Sequence, residues 1–189
     1  MLNFLTSNNI ADMEGLNVHF KSMIHKQLDI RDKLKPIDRR IKTIDEHIRQ
    51  SGTYKTYRGQ KAQYEKLYAQ YKAIKNATGF IAKRKAQKAL DAANEYYETY
   101  RSEITMCKNA EQYLKDVLQG HFDPKKLPPV TKWTAERDKL AAERSKLNQQ
   151  YGALKNEVSE AEQIRKGVYD IVRAEQRQAE PQRTRGMDR

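Results

Sequence analysis

MEGLNVHFKSMIHKQLDIRDKLKPIDRRIKTIDEHI, residues 13–48, decides the fold class. Met13, Leu16, Phe20, Met23, Gln27, Ile30, Leu34, Ile37, Ile41, Ile44 and Ile48 follow one another in steps of three and four. Only Gln27 departs from the apolar rule. A 3-4 spacing held this long is the seam of a coiled-coil-like helix, which it predicts over roughly residues 9–50. Pro36 falls inside the pattern without shifting its phase. That favours a kink, or a helix restart with Pro36 in the first turn, over a chain reversal.

Downstream, Ser51-Gly52 reads as a break, and a second helix is predicted over about 53–77 with Tyr57, Tyr64, Leu67, Tyr71, Ile74 and then Ile81 on its seam. Asn76 to Gly79 reads as a helix stop with Gly79 as a left-handed cap. A third helix follows on Ala86, Leu90, Ala93, Tyr97, Tyr100, Ile104, Cys107, Leu114 and Leu118, a series spoiled only by Glu111 and ended by Gly120. GHFDPKKLPPVTK (120–132) holds three prolines and is read as a linker. Thr131 would cap a fourth helix with Trp133, Leu140, Leu147, Tyr151, Leu154, Val158, Ala161, Val168 and Val172 on its seam.

The chain therefore divides into a flexible N-terminal edge (1–8), a three-helix coiled-coil region (9–119), a Pro-rich linker (120–132), a fourth long helix (133–177) and a disordered polar tail (178–189). The expected fold is all-α: four long helices forming an elongated antiparallel coiled-coil-like bundle. A parallel homodimer through the first helix is the rival arrangement. Composition agrees, because 33% of the 189 residues are charged, 38% are hydrophobic and the mean hydropathy is −1.00. An ordinary domain is nearer ~25% charged and ~45–50% apolar, and helices that each bury a narrow stripe need fewer apolar residues than a compact globule.

The formal charge is +12 and the pI about 9.6, which points to acidic partners. The excess is local. Residues 51–89 carry ten Lys and Arg against the single Glu65, whereas residues 90–118 carry three against six acids. Within it, YKTYRGQKAQYEKLYAQYKAIK (54–75) holds five tyrosines and six basic residues. Tyr57, Tyr64 and Tyr71 fall on the apolar seam. Tyr54, Arg58, Lys61, Tyr68, Lys72 and Lys75 read as a flanking stripe, able to hold a phosphate backbone and to stack on unpaired bases. These six are the candidate nucleic-acid-binding residues. The contrary reading makes the lysines solvation and the two rings cover for the core shoulder. No sequence-reading module is present, so the expected contact is with DNA of any sequence.

Chemistry is not expected of this chain. His19 and His25 stand six apart, about 240° round a helix, and neither has a ligand partner one turn away, so no metal is expected. Cys107 on a seam reads as a small buried apolar residue. A single cysteine fits a reducing cytoplasm. There is no Gly-rich phosphate loop and no cofactor is implied. No apolar run approaches the ~18–20 residues that cross a bilayer, and no membrane partner is expected. MLNFLTSNN lacks the marks of a secretory signal.

Several runs together, DMEGLNVHF (12–20), KPIDRR (35–40), YRGQKAQYEKLYAQYK (57–72), RKAQKALDAANEYYE (84–98), HFDPKKLPPVTKW (121–133) and QIRKGVYDIVRAEQR (163–177), resemble the C-terminal helical region of relaxases, the mobilisation nucleases of conjugative transposons and mobilisable plasmids. The resemblance spans nearly the whole chain. It implies that a separate N-terminal domain does the chemistry, with a tyrosine nucleophile and a divalent metal held by histidines. No pair of histidines separated by one apolar residue occurs here, so no catalytic residue carries over. What the family implies is a non-catalytic accessory domain that supports DNA mobilisation by contacting DNA, relaxosome partners or coupling proteins. The alternative is a coiled-coil scaffold for protein interaction or homo-oligomerisation.

Overall fold

The computed structural model describes residues 2–119, 121–124, 126 and 128–179. Among these the chain is all-α, in five helices: α1 (Leu2–Ser7), α2 (Met13–Ile74), α3 (Phe80–Thr99), α4 (Arg101–Val117) and α5 (Val130–Ala179). No helix is long and apolar enough to cross a membrane.

Asp12 starts α2. Its carboxylate accepts the Gly15 N–H at 2.7 Å, which satisfies one of the donors a helix start leaves open, and its carbonyl accepts that of Leu16 in the first bond of the helix. The helix then runs 62 residues through Pro36 and through Ser51-Gly52. The expected break at 51–52 is absent for a local reason. Ser51 is buried and donates its hydroxyl to the His47 carbonyl at 2.8 Å, and Gly52 merely opens the exposed side. The true stop follows Ile74, whose carbonyl accepts the Ala77 N–H. Gly79, at φ 100° and ψ 152°, supplies the positive φ of the turn, but it serves as the entry to α3 and not as a left-handed helix cap.

The third predicted helix is two. Tyr100, at φ −117° and ψ 26°, separates α3 from α4 while its N–H still donates to Tyr96 and its carbonyl still accepts from Ile104. The predicted linker 120–132 is shorter than its prolines suggested. The Pro129 carbonyl accepts the Trp133 N–H, so α5 begins at Val130, directly behind the two prolines, and Thr131 is already inside it. At the other end α5 runs past 177 to Ala179, and the rest of the predicted tail lies outside the described residues, as does Gly120. The edge 1–8 contains the short helix α1, where Phe4 meets the His19 ring edge-on at 6.0 Å.

The chain packs as two units, one joining the chain up to Asp38 with the chain from Ala141 onward, the other Arg39–Leu140. In the first, Asn17 faces Tyr169, the Arg165 guanidinium lies 4.3 Å from the Phe20 ring centre, and Arg144 pairs with Asp38 at 2.7 Å. Partner numbers fall as α2 numbers rise, so α2 and α5 are antiparallel there. Leu16, Met23, Ile37, Ala161 and Ile164 are buried in it, whereas Val172, placed on the seam by sequence, is exposed.

The second unit has the larger core. Ile44, Tyr54, Cys107, Ala110, Leu114 and Trp133 form a buried cluster with Ile48, Tyr57, Tyr113 and Leu140 packed round it. The polar members of this core are paired. His47 shares a 2.8 Å hydrogen bond with the Tyr113 hydroxyl and lies 5.1 Å from the Trp133 ring. Arg40 pairs with Glu136 at 2.7 Å, so α2 and α5 are antiparallel here too.

Candidate nucleic-acid interface

A helix seam has two places in every seven residues. Tyr57, Tyr64 and Tyr71 occupy one of them, and Tyr54, Lys61 and Tyr68 the other. The sequence reading put the second set on a flank because lysines stand in it. The structure puts it inside.

Tyr54 is only 4% exposed. Its hydroxyl donates to the Pro124 carbonyl at 2.9 Å and its ring meets Phe122 at 5.4 Å. Lys61 is 17% exposed, with its Nζ 2.6 Å from Glu111 and 2.9 Å from Glu65. Burial works against the charge on Lys61, but the two carboxylates outweigh it and hold the ammonium above its ordinary pKa. Lys115 reaches the second Glu111 oxygen at 2.7 Å. Burial would raise the Glu111 carboxyl, yet the hydrogen bonds from Lys115 and Lys61 leave it below its usual value. Glu111, which spoils the seam of its helix, thus has Lys61 as a partner. Tyr54 and Lys61 leave the list of candidate contacts.

Tyr68 is half-buried. It stacks on Tyr64 at 5.9 Å, touches Tyr71 at 5.8 Å and carries the Lys72 ammonium 5.0 Å above its ring. Tyr64 in turn meets Tyr97 at 5.1 Å, with Lys108 over both rings. Such a ring stack is packing first, with one edge left at the surface.

Arg58, Lys72 and Lys75 are exposed, and sequence reasoning left out two companions. Counting sevens from Tyr54, Arg58 and Lys72 share the place beside the seam, and Lys55 and Lys66 take the next two places round the helix. The four make one continuous solvent stripe on α2. On α3, Lys83, Arg84, Lys85 and Lys88 are exposed as well. Among the described residues none of these nine cations lies within 4.0 Å of a carboxylate. Elsewhere in the described residues some bases are paired, Lys35, Arg40, Arg49, Arg101, Lys115, Arg137, Arg144 and Lys166 among them, while others such as Lys21, Arg31 and Lys42 are not. The signal was in the sequence, since apart from Asp91, three residues after Lys88, no Asp or Glu stands one turn from any of these cations.

Among the described residues no group of three His, Cys, Asp or Glu is placed to hold a metal ion. The Cys107 thiol is buried, and that burial pushes its pKa up, away from thiolate character. Comparison with family models, with curated proteins and with solved structures returns no match.

Proposed function

We propose that this chain is a non-catalytic helical module that holds DNA without regard to sequence, through the exposed stripe Lys55, Arg58, Lys66 and Lys72 of α2 with Lys75 at its end. The observation that carries this reading is the run of exposed cations without a carboxylate partner, in the one segment of the chain where ten bases face a single acid. A duplex holds condensed cations along its phosphates, and protein cations free of a carboxylate partner displace them on contact, which favours binding. The resemblance to the helical region of relaxases supplies the setting: DNA mobilisation, alongside relaxosome or coupling proteins, with the transesterase chemistry in another domain.

The test is fluorescence anisotropy of a labelled oligonucleotide with Arg58→Glu/Lys66→Glu/Lys72→Glu. The reading expects affinity to fall by ten-fold or more with the helical circular dichroism intact. Undiminished binding by this variant contradicts it. Lys61 is unsuited to such a test, because Lys61→Glu would set a carboxylate against Glu111.

A second reading, a scaffold for protein interaction or self-association, draws on Tyr169, Ile171 and Val172, which leave apolar surface exposed near the end of α5. It expects a mass above that of a 22.1 kDa monomer in light scattering. A monomeric mass removes its self-association form.

A further inference from the structure

Phe80 and Ile81 open α3 and are 81% and 72% exposed, the largest values among the exposed apolar side chains. Sequence periodicity put Ile81 on a seam. The turn at Gly79 instead starts a new helix whose buried face is carried by Ala86 and Ala93, and Phe80 and Ile81 fall on the opposite side. Arg84 and Lys88 follow Ile81 at one and two turns on that same side, with Lys83 and Lys85 flanking them. Lys75 lies just beyond the end of α2.

These side chains are ordered in depth. The apolar pair stands in the first turn of α3, and the cations from Lys83 to Lys88 sit roughly 5–12 Å further back along the axis. An anionic bilayer has the matching order, hydrocarbon innermost and lipid phosphate above it. Nucleic acid presents phosphate outermost, and the aliphatic Ile81 has no flat face with which to stack on a base. Contact of this kind needs no membrane-spanning helix, so the lack of a spanning run in the sequence does not bear on it.

We propose that the α3 start is a membrane-surface anchor, with Phe80 and Ile81 entering the boundary of headgroups and acyl chains while Lys75, Lys83, Arg84, Lys85 and Lys88 hold anionic lipid phosphates. Neither signal suffices alone: two apolar side chains give marginal, reversible binding, and the cationic collar supplies the second attraction. The site shares only Lys75 with the α2 stripe and rests on the apolar exposure, not on the DNA reading.

The test is co-sedimentation of the full chain with phosphatidylglycerol vesicles and with phosphatidylcholine vesicles. Preference for the anionic vesicles is expected, about ten-fold or greater, together with a comparable loss in Phe80→Ser/Ile81→Ser. In Phe80→Trp, vesicles should shift the new emission to the blue and brominated lipid should quench it, against the constant background of buried Trp133. No binding to anionic vesicles overturns the proposal. So does equal binding by the double serine variant, which would leave charge alone at work. Weakened oligonucleotide binding by that variant with vesicle binding intact would also overturn it and give the patch to nucleic acid.

Discussion

Lys61 and Glu111 show how a single residue can mislead a pattern. Glu111 interrupts the apolar series of its helix, and Lys61 reads alone as part of a flanking stripe. Together they close a mostly buried ion pair, completed by Lys115 and Glu65. Removing one member leaves the other without its main partner in low dielectric. Lys61→Met is expected to cost about 2 kcal/mol, less than for a fully buried pair because Lys115 remains. Lys61→Met/Glu111→Leu should recover to within about 1 kcal/mol of the parent, since well-packed apolar residues often replace a buried pair without loss. Urea midpoints measure both, and a double variant less stable than the single would contradict this account. Pairing across helices is invisible to a one-helix periodicity. That is why the core side of Tyr54 and Tyr68 was not legible, whereas Tyr57, Tyr64 and Tyr71 were.

His47 makes a pH-dependent prediction at the same scale. Burial, and then the nearby Arg40 charge, lower its pKa below the ordinary 6.5, with Glu136 and Glu46 opposing. The folded state thus favours the neutral ring. As pH falls below about 6.5 the unfolded chain takes up the proton first, and stability is lost until the folded value is reached. Glu111, with a lowered pKa, adds a second loss as pH falls through about 4.5. Thermal midpoints from pH 7.5 to 5.5 should therefore decline in the parent and decline less in His47→Gln. Parallel curves would remove His47 from the explanation.

At the scale of elements, α2 was legible over residues 13–48 because its apolar residues repeat without interruption. The break expected at Ser51-Gly52 followed a local composition rule. Tertiary packing overrides that rule, since Ile44, His47, Ser51 and Tyr54 are successive buried positions. A glycine in the middle of a helix still costs about 0.5–1 kcal/mol relative to alanine. A Cβ on Gly52 or Gly59 would meet nothing within 4 Å. Gly52→Ala and Gly59→Ala should each raise stability by roughly that amount. Calorimetry showing a lowered midpoint would mean that these glycines keep a bend the helix requires. Tyr100 is the opposite case: nothing in EYYETYRSE (95–103) marks an end, and the separation of α3 from α4 there has no signal in residue type.

At the scale of the whole molecule, the net charge of +12 says little until it is divided. Outside residues 51–89 the 27 Lys and Arg are nearly balanced in number by 24 Asp and Glu, and most of the excess lies on exposed positions of α2 and α3. The all-α fold could be read from seams alone, because burial of narrow stripes on long helices dictates it, but the antiparallel pairing of α2 with α5 could not, since a seam does not name its partner. The location of the basic segment could be read as well. Which of its residues face water could not, for that depends on the drift of the seam along α2 and on the acids that α4 offers.

The central claim is that the unpaired cations of the α2 stripe hold phosphate, and the salt dependence of oligonucleotide binding tests it most directly. Each phosphate neutralised contributes a slope of about −0.9 to log K against log salt for duplex DNA, and about −0.7 for a single strand. With Lys55, Arg58, Lys66 and Lys72 engaged, the account predicts a duplex slope of about −3 to −4, reduced by about one for each cation replaced by glutamine. A slope near zero, or one unchanged in Arg58→Gln/Lys72→Gln, would contradict it.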